Sequence, residues 1–277
     1  MTLADDADLH KCYQEAVQDP RREVRNLKNI FLDAQTRYCS ERPRVPLLLR
    51  EDFCGTAILC KEWVQAHVER RAIGVDLDRS VLEYGESQFP DECISSKIEL
   101  YHGDVLKIDN DSLERADIVA ALNYAVCYFH SRKNLVEYLR RAKESTVSGG
   151  VFICDLFGGS RPISEEWVFS RSCSNFEYTF EQSPIDVLTN VANCTINFKF
   201  KDGSTRRHAF SYSFRIWNIV DIIEALHESG FLEVDVWVSV NDSEGMREFK
   251  RIERNRKFIL SADSWNVYLV GFVGENS

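Results

Sequence analysis

The residues best placed to do chemistry lie in one short stretch, Leu49-Arg50-Glu51-Asp52-Phe53-Cys54-Gly55-Thr56-Ala57. An apolar run ends there, a turn of small residues follows, and helical spacing opens after it. In such a geometry, backbone N–H groups at a helix N-terminus meet a polar ligand. Gly55 has no Cβ, so a ligand can approach its backbone closely. Asp76 stands 21 residues after Gly55, at the end of the next apolar run. An acid at that place accepts hydrogen bonds from ribose hydroxyls. A nicotinamide fingerprint needs Gly-x-Gly-x-x-Gly, and a loop with a single glycine argues against a dehydrogenase.

These residues need a scaffold, and the apolar periodicity supplies one. Residues 8–35 have helical spacing, which Pro20 divides into two helices. Pro46–Arg50 reads as a buried strand, and helical spacing runs from Ala57 to about Glu69. Arg71–Asp76 is a second strand, followed by a helix with Asp78 or Ser80 as N-cap. Ile98–His102 and Ala116–Leu122 are strands, Leu135–Ser145 is a helix closed by Gly149-Gly150, and Val151–Asp155 is a fifth strand. This alternation predicts a parallel sheet covered on both faces. After residue 156 the rhythm changes. Residues 176–183, 194–201 and 205–215 read as antiparallel strands, with Lys201-Asp202-Gly203-Ser204 as a hairpin turn. A helix from Asn218 to Gly230 and strands at 231–238 and 265–273 complete the chain.

The 277 residues carry a net charge of −10, which argues against nucleic acid as the main partner. The basic cluster Arg247, Lys250, Arg251, Arg254, Arg256 and Lys257 is interleaved with Glu248 and Glu253 and reads as a solvated helix or loop face. Nine cysteines without a C-x-x-C pair suit a reducing compartment and supply no metal-ligand spacing. The opening MTLADDADLH has no basic start and no apolar core. No apolar run approaches the roughly 20 residues that span a bilayer. A cytoplasmic protein without a membrane partner is expected.

With these elements in place, the chain resembles the class I S-adenosylmethionine-dependent methyltransferases over roughly residues 45–156. That family carries an acid-x-Gly-x-Gly-x-Gly loop after its first strand. Glu51 takes the acidic position, Gly55 the middle glycine and Ala57 the last, while Phe53 stands where the first glycine usually is. Val75-Asp76-Leu77-Asp78, His102-Gly103-Asp104-Val105-Leu106, Ala121-Leu122-Asn123-Tyr124-Ala125-Val126 and Ser148-Gly149-Gly150-Val151-Phe152-Ile153 match the later motifs in order. The chain also resembles an uncharacterised subgroup whose loop reads Glu-Asp-Phe-Cys-Gly-Thr-Ala. The resemblance implies a Rossmann-like α/β sheet of seven strands, the last antiparallel, with helices on both faces. It divides the chain into a helical cap (1–44), a cofactor-binding core (45–160), an antiparallel lid inserted after strand five (161–216) and a completion of the core sheet (217–277).

The resemblance also implies the cofactor S-adenosyl-L-methionine. Asp76 would hold the ribose beside Leu77. Asp104 would meet the adenine amino group, with Gly103, Val105 and Leu106 around it. Arg50, Glu51, Phe53, Cys54, Gly55, Thr56, Ala57, Asn123 and Tyr124 would surround the rest, and Tyr13 would close over the carboxylate end. A bulky Phe53 is expected to reshape the loop. Tyr128, His130 and Tyr212 are candidates to act on the acceptor, and Tyr128, Tyr212, Arg215 and Trp217 to line its pocket. For each, packing is the competing explanation, and Arg50 suits an ion pair with Glu51 or Asp52 equally well. An aromatic lid suits methyl transfer to a small molecule at nitrogen or oxygen. A protein or RNA methyltransferase and a catalytically silent binding subunit are the alternatives.

Overall fold

The structure is a computed structural model and describes residues 1–160, 166–241, 247–252 and 264–274. The main sheet is built from β1 (Leu48–Asp52), β2 (Arg71–Asp76), β3 (Ile98–His102), β4 (Ala116–Ala121), β5 (Thr146–Gly158), β10 (Glu233–Asn241), β11 (Arg247–Arg251) and β12 (Trp265–Phe272). Its order is β11-β10-β12-β5-β4-β1-β2-β3. β1 to β5 pair in parallel, and β12 runs antiparallel to both β5 and β10. This is the seven-strand arrangement the resemblance implies, with β11 added outside β10. The chain reverses direction across the sheet between β1 and β4. The C-terminal ends of those strands therefore frame a crevice.

Alternate side chains explain why both faces are covered. Leu49, Ile118, Ala120, Val151 and Ile153 point to one face, where α3 (Pro20–Tyr38), α4 (Ile58–Gln65) and α5 (Arg79–Ser87) bury Leu27, Phe31, Trp63 and Leu82 against them. Leu48, Val119, Ala121, Phe152 and Cys154 point to the other. There α7 (Arg132–Glu144) and α8 (Ile219–Glu228) contribute Leu135, Tyr138, Ile222 and Leu226. Burying both faces is what near-continuous apolar strands require. Two of these helices start at a side-chain cap: Asp19 accepts from the Arg22 N–H with Pro20 following it, and Asp78 accepts from Ser80 and Val81.

A second sheet, β6 (Trp167–Ser172), β7 (Phe176–Gln182), β8 (Val191–Phe200) and β9 (Thr205–Arg215), is antiparallel in chain order. Its Phe176, Tyr178, Ile196, Phe198 and Phe200 share a core with Ala4, Cys12 and Ala16 of α1 (Leu3–Asp6) and α2 (Leu9–Val17). The segment 1–44 therefore does not pack as one cap. α1 and α2 belong to the small sheet and α3 to the main one, because Asp19-Pro20 breaks the helix between them. α6 (Glu92–Ser95) is a single turn before β3.

Two further expectations are corrected, and one strand was missed. Gly149-Gly150 does not close a helix but lies within β5, at a bulge opposite Ala116–Ile118. A Cβ on Gly150 would stand 2.8 Å from the Asp117 carbonyl, so only glycine lets the strand continue there. The basic segment contributes the strand β11, on which Arg251 pairs with Asp33 at 3.6 Å. Arg254, Arg256 and Lys257 lie outside the described residues. β6, with only Trp167 partly buried, was not read from the sequence, because an exposed edge strand has no apolar face to betray it.

Candidate functional site

The loop after β1 holds a conformation that side chains disfavour. Phe53, Gly55 and Ala57 have φ of 62°, 54° and 52°, three alternate residues in the left-handed region. Glycine adopts that region freely, whereas other residues pay of order 1–3 kcal/mol each for it. Phe53 and Ala57 thus hold the left-handed region that glycine enters freely. The Phe53 ring leaves the turn and stacks on Tyr128 at 6.1 Å, with Phe129 and Tyr138 at its edges.

Hydrogen bonds to β2 hold the strained turn. The Cys54 N–H donates to the Val75 carbonyl at 3.0 Å, and the Gly55 N–H to Asp76 Oδ2 at 2.7 Å. The other Asp76 oxygen accepts from the Asp78 N–H at 2.9 Å. The Gly55 N–H expected to face a ligand is therefore engaged by Asp76, and the half-buried carboxylate presents its remaining lone pairs to the crevice. Two glycines let neighbours close in: a Cβ at Gly74 would meet Cys54 Sγ at 2.9 Å, and one at Gly85 the Thr56 carbonyl oxygen at 2.4 Å. From the other side, Gln14 on α2 donates to Thr56 Oγ1 at 2.8 Å. Tyr84 on α5 donates to Asp8, the cap of α2, also at 2.8 Å.

Charges beneath the loop divide by face. Glu51 is buried and accepts from Cys60 Sγ at 3.3 Å; burial pushes its carboxyl up to about 8. Arg50 points to the opposite face. It donates to Asp52 at 2.8 Å, to Asn110 and to Ser145, and Tyr138 donates to the other Asp52 oxygen at 3.1 Å. With 1% of its side chain exposed, Arg50 is fixed in a structural ion pair, the second of its two expected roles.

The ends of β3 and β4 continue the crevice. The Gly103 N–H donates to the Asp76 carbonyl at 2.9 Å. Asp104 accepts from the Leu106 N–H at 3.0 Å and pairs with Lys107, and these contacts hold its carboxyl below the usual range. Val105 is buried, Leu106 partly so, and Leu77 exposed beside Asp76. Asn123 and Tyr124 are both left-handed, with φ of 57° and 63°. Their N–H groups donate to the two oxygens of Asp155, at 3.2 and 2.7 Å. Asp155 was not among the expected residues. The signal that would have found it is its place at the end of the strand next to β4.

The acceptor-side candidates separate into two groups. The Tyr128 ring lies 6.3 Å from that of Tyr212, and the Tyr212 hydroxyl neighbours that of Tyr13. Burial pushes the Tyr128 phenol up to about 12, and those of Tyr13, Tyr124 and Tyr212 well up too. His130, Arg215 and Trp217 face elsewhere. His130 Nε2 contacts the Ser213 carbonyl at 2.8 Å, Arg215 donates to the His130 carbonyl, and its guanidinium covers the Trp217 ring at 3.8 Å. Strand alternation explains the split, since Tyr212 and Arg215 fall on opposite sides of β9. Trp217, 2% exposed, is core and not a pocket wall. His130 and Arg215 instead line a separate depression of about 390 Å³ with Val187–Val191.

No family model matches the chain, and no curated protein does. Solved structures do. A S-adenosylmethionine-dependent methyltransferase from Clostridium acetobutylicum aligns over 99% of this chain and 100% of its own, at 17% identity and a TM-score of 0.68. CalS10 from Micromonospora echinaspora, an amino pentose methyltransferase with S-adenosylmethionine bound, aligns over 95% of each chain at 12% identity and a TM-score of 0.64. The sugar N-methyltransferase KedS8 from Streptoalloteichus covers 97% of this chain and 94% of its own, at 14% identity and a TM-score of 0.61. The chain has the Rossmann-like methyltransferase fold, with a separate four-stranded antiparallel sheet.

Proposed function

We propose that this chain is a S-adenosylmethionine-dependent methyltransferase acting on a small-molecule acceptor. One observation carries the reading. Phe53, Gly55 and Ala57 hold three alternate left-handed residues, fastened to the Asp76 carboxylate, at the sheet's topological switch point. Strain at non-glycine residues persists where the surroundings over-determine it, which is typical of functional sites. The likeness to an amino pentose and a sugar methyltransferase supports a small acceptor.

The donor set fits the cofactor. Asp76 has lone pairs left for ribose hydroxyls, and Asp104 for an adenine amino group, with Leu77, Gly103, Val105 and Leu106 flanking them. Phe53, Cys54, Gly55, Thr56 and Ala57 form the turn beside the amino-acid end, supported from below by Glu51 and faced by Asn123 and Tyr124. Tyr13, on α2, closes that end from above. When bound, the cofactor supplies an electrophilic methyl group on a sulfonium. The chain's own task is to hold the acceptor's lone pair in line with that methyl and to exclude water. Tyr128 and Tyr212 stand on the acceptor side.

Calorimetric titration with S-adenosylhomocysteine tests the reading. Micromolar binding is expected, weakened about 100-fold by Asp76→Ala, as loss of a charge-assisted hydrogen-bonding group implies. A folded wild type that takes up no S-adenosylhomocysteine would overturn it.

A further inference from the structure

Asp155 lies on β5 just past its last pairing with β4, on the side of β4 away from the loop and Asp76. A ligand lying across β2, β1 and β4 would bring its far end beside this carboxylate. Two successive strained residues, Asn123 and Tyr124, aim their N–H groups at its oxygens. The rest of its surroundings are phenolic. Tyr13 from α2 and Tyr124 from the segment after β4 have hydroxyls near enough to feel the Asp155 charge, and Tyr128 from that segment, Tyr178 from β7 and Tyr212 from β9 gather around Tyr13, with the Tyr128 and Tyr212 rings 6.3 Å apart. Glu23 of α3 and Tyr268 of β12 lie near Asp155 as well. Among the described residues, no Lys, Arg or His pairs with it.

A carboxylate with no cationic partner, set among aromatic faces, lacks a positive charge. Burial costs an unpaired carboxylate dearly unless a cation arrives, and aromatic faces attract cations, ammonium ions above all. We infer that Asp155, within the cage of Tyr13, Tyr124, Tyr128, Tyr178 and Tyr212, binds the cationic nitrogen of an amine acceptor. The inference rests on the methyl-transfer reading and narrows it: the acceptor is an amine, not an alcohol or a neutral phenol. Before attack the ammonium gives one proton to Asp155, which frees the nitrogen lone pair; that lone pair then takes the methyl as the sulfonium leaves as a thioether, and the nitrogen is cationic again, so the same cage accommodates the substrate and its N-methylated product. Burial that pushes the Asp155 carboxyl up to about 7 agrees, because a bound cation would restore its charge.

The test needs no knowledge of the rest of the acceptor. Tetramethylammonium is the smallest cation such a cage holds, and tert-butanol is a neutral molecule of similar size. Each is titrated by NMR into the full chain saturated with S-adenosylhomocysteine. Tetramethylammonium is expected to bind at least tenfold more tightly than tert-butanol. Asp155→Asn is expected to erase that preference while S-adenosylhomocysteine affinity stays within threefold. If Asp155→Asn no longer folds, the half-exposed Tyr128→Leu replaces it and should weaken tetramethylammonium several-fold. Equal binding of the two probes, no tetramethylammonium binding, or a preference that survives Asp155→Asn would overturn the inference and leave the methyltransferase reading standing. Failure of S-adenosylhomocysteine to bind would sink that reading instead. The probe comparison on the ligand-free chain would still decide whether the cage selects cations.

Discussion

The crevice at the C-terminal edge of the main sheet has two ends built by different physics. At the β1–β3 end, backbone geometry does the positioning. A turn of three left-handed residues is fastened by N–H donation to Val75 and Asp76, and its partners lie within about 50 residues of sequence. At the β4–β5 end, two left-handed N–H donors hold Asp155 and aromatic packing positions the rest. The rings of Tyr13, Tyr128, Tyr178 and Tyr212 come from four elements spread from α2 to β9. A site made of backbone and carboxylates has few workable sequences, whereas a site made of rings on a second sheet has many.

The comparison can be broken at several places. The largest expected effect is on stability. Arg50→Met would leave Asp52 buried without its cation and should cost about 3–5 kcal/mol, read as a lower midpoint in urea. S-adenosylhomocysteine affinity of the folded fraction should stay within threefold. A matching loss of affinity would move Arg50 from the support of the loop into the site itself.

Next comes Asp76→Ala, whose expected 100-fold loss of affinity should far exceed that of Tyr128→Leu if the two ends divide as described. Smaller again is Gly55→Ala. A Cβ there meets nothing nearer than Val81 at 3.9 Å, so any loss reflects φ alone. It should cost about 1 kcal/mol in thermal unfolding, the usual penalty of a left-handed alanine. A neutral result would mean the turn relaxes and that its strain is not held by Asp76.

The smallest effect is a slope. Glu51 and Asp155, held at about 8 and about 7, both lie above the ordinary carboxyl value near 4. The folded chain keeps protons there that the unfolded chain releases. Their contribution is therefore full below about pH 4 and is lost as pH rises through 7 to 8. The melting temperature of the ligand-free protein should fall over that window. Glu51→Gln should flatten the fall and leave the part due to Asp155. An unchanged slope would place Glu51 in water and contradict its burial.

Much of the first end was legible in the sequence. Strands 71–76, 98–102 and 205–215 follow from apolar patterning, and the spacing of Gly55 and Asp76 marks the turn before any coordinates exist. The backbone of Phe53 was not legible, because sequence shows the side chain and not which way a strained turn sends it. Asp155 was in view as the last residue of an apolar strand, but its partners are the N–H groups of Asn123 and Tyr124, which no side-chain pattern records. Tyr178 sits in an alternating strand, where packing explains an aromatic equally well. Arg215 was misplaced for the same reason, since alternation decides its side of β9 only once its neighbours are known, and Trp217 follows the strand into the core.

The central claim is that the β1–β3 end holds S-adenosylmethionine and the β4–β5 end its acceptor. A crystal structure with S-adenosylhomocysteine tests it most directly. The account predicts ribose hydroxyls on the Asp76 carboxylate, the adenine beside Asp104, and the sulfur directed toward Tyr124 and Asp155. A ligand seated elsewhere, or a crevice into which the Phe53 ring has swung to replace it, would contradict the account.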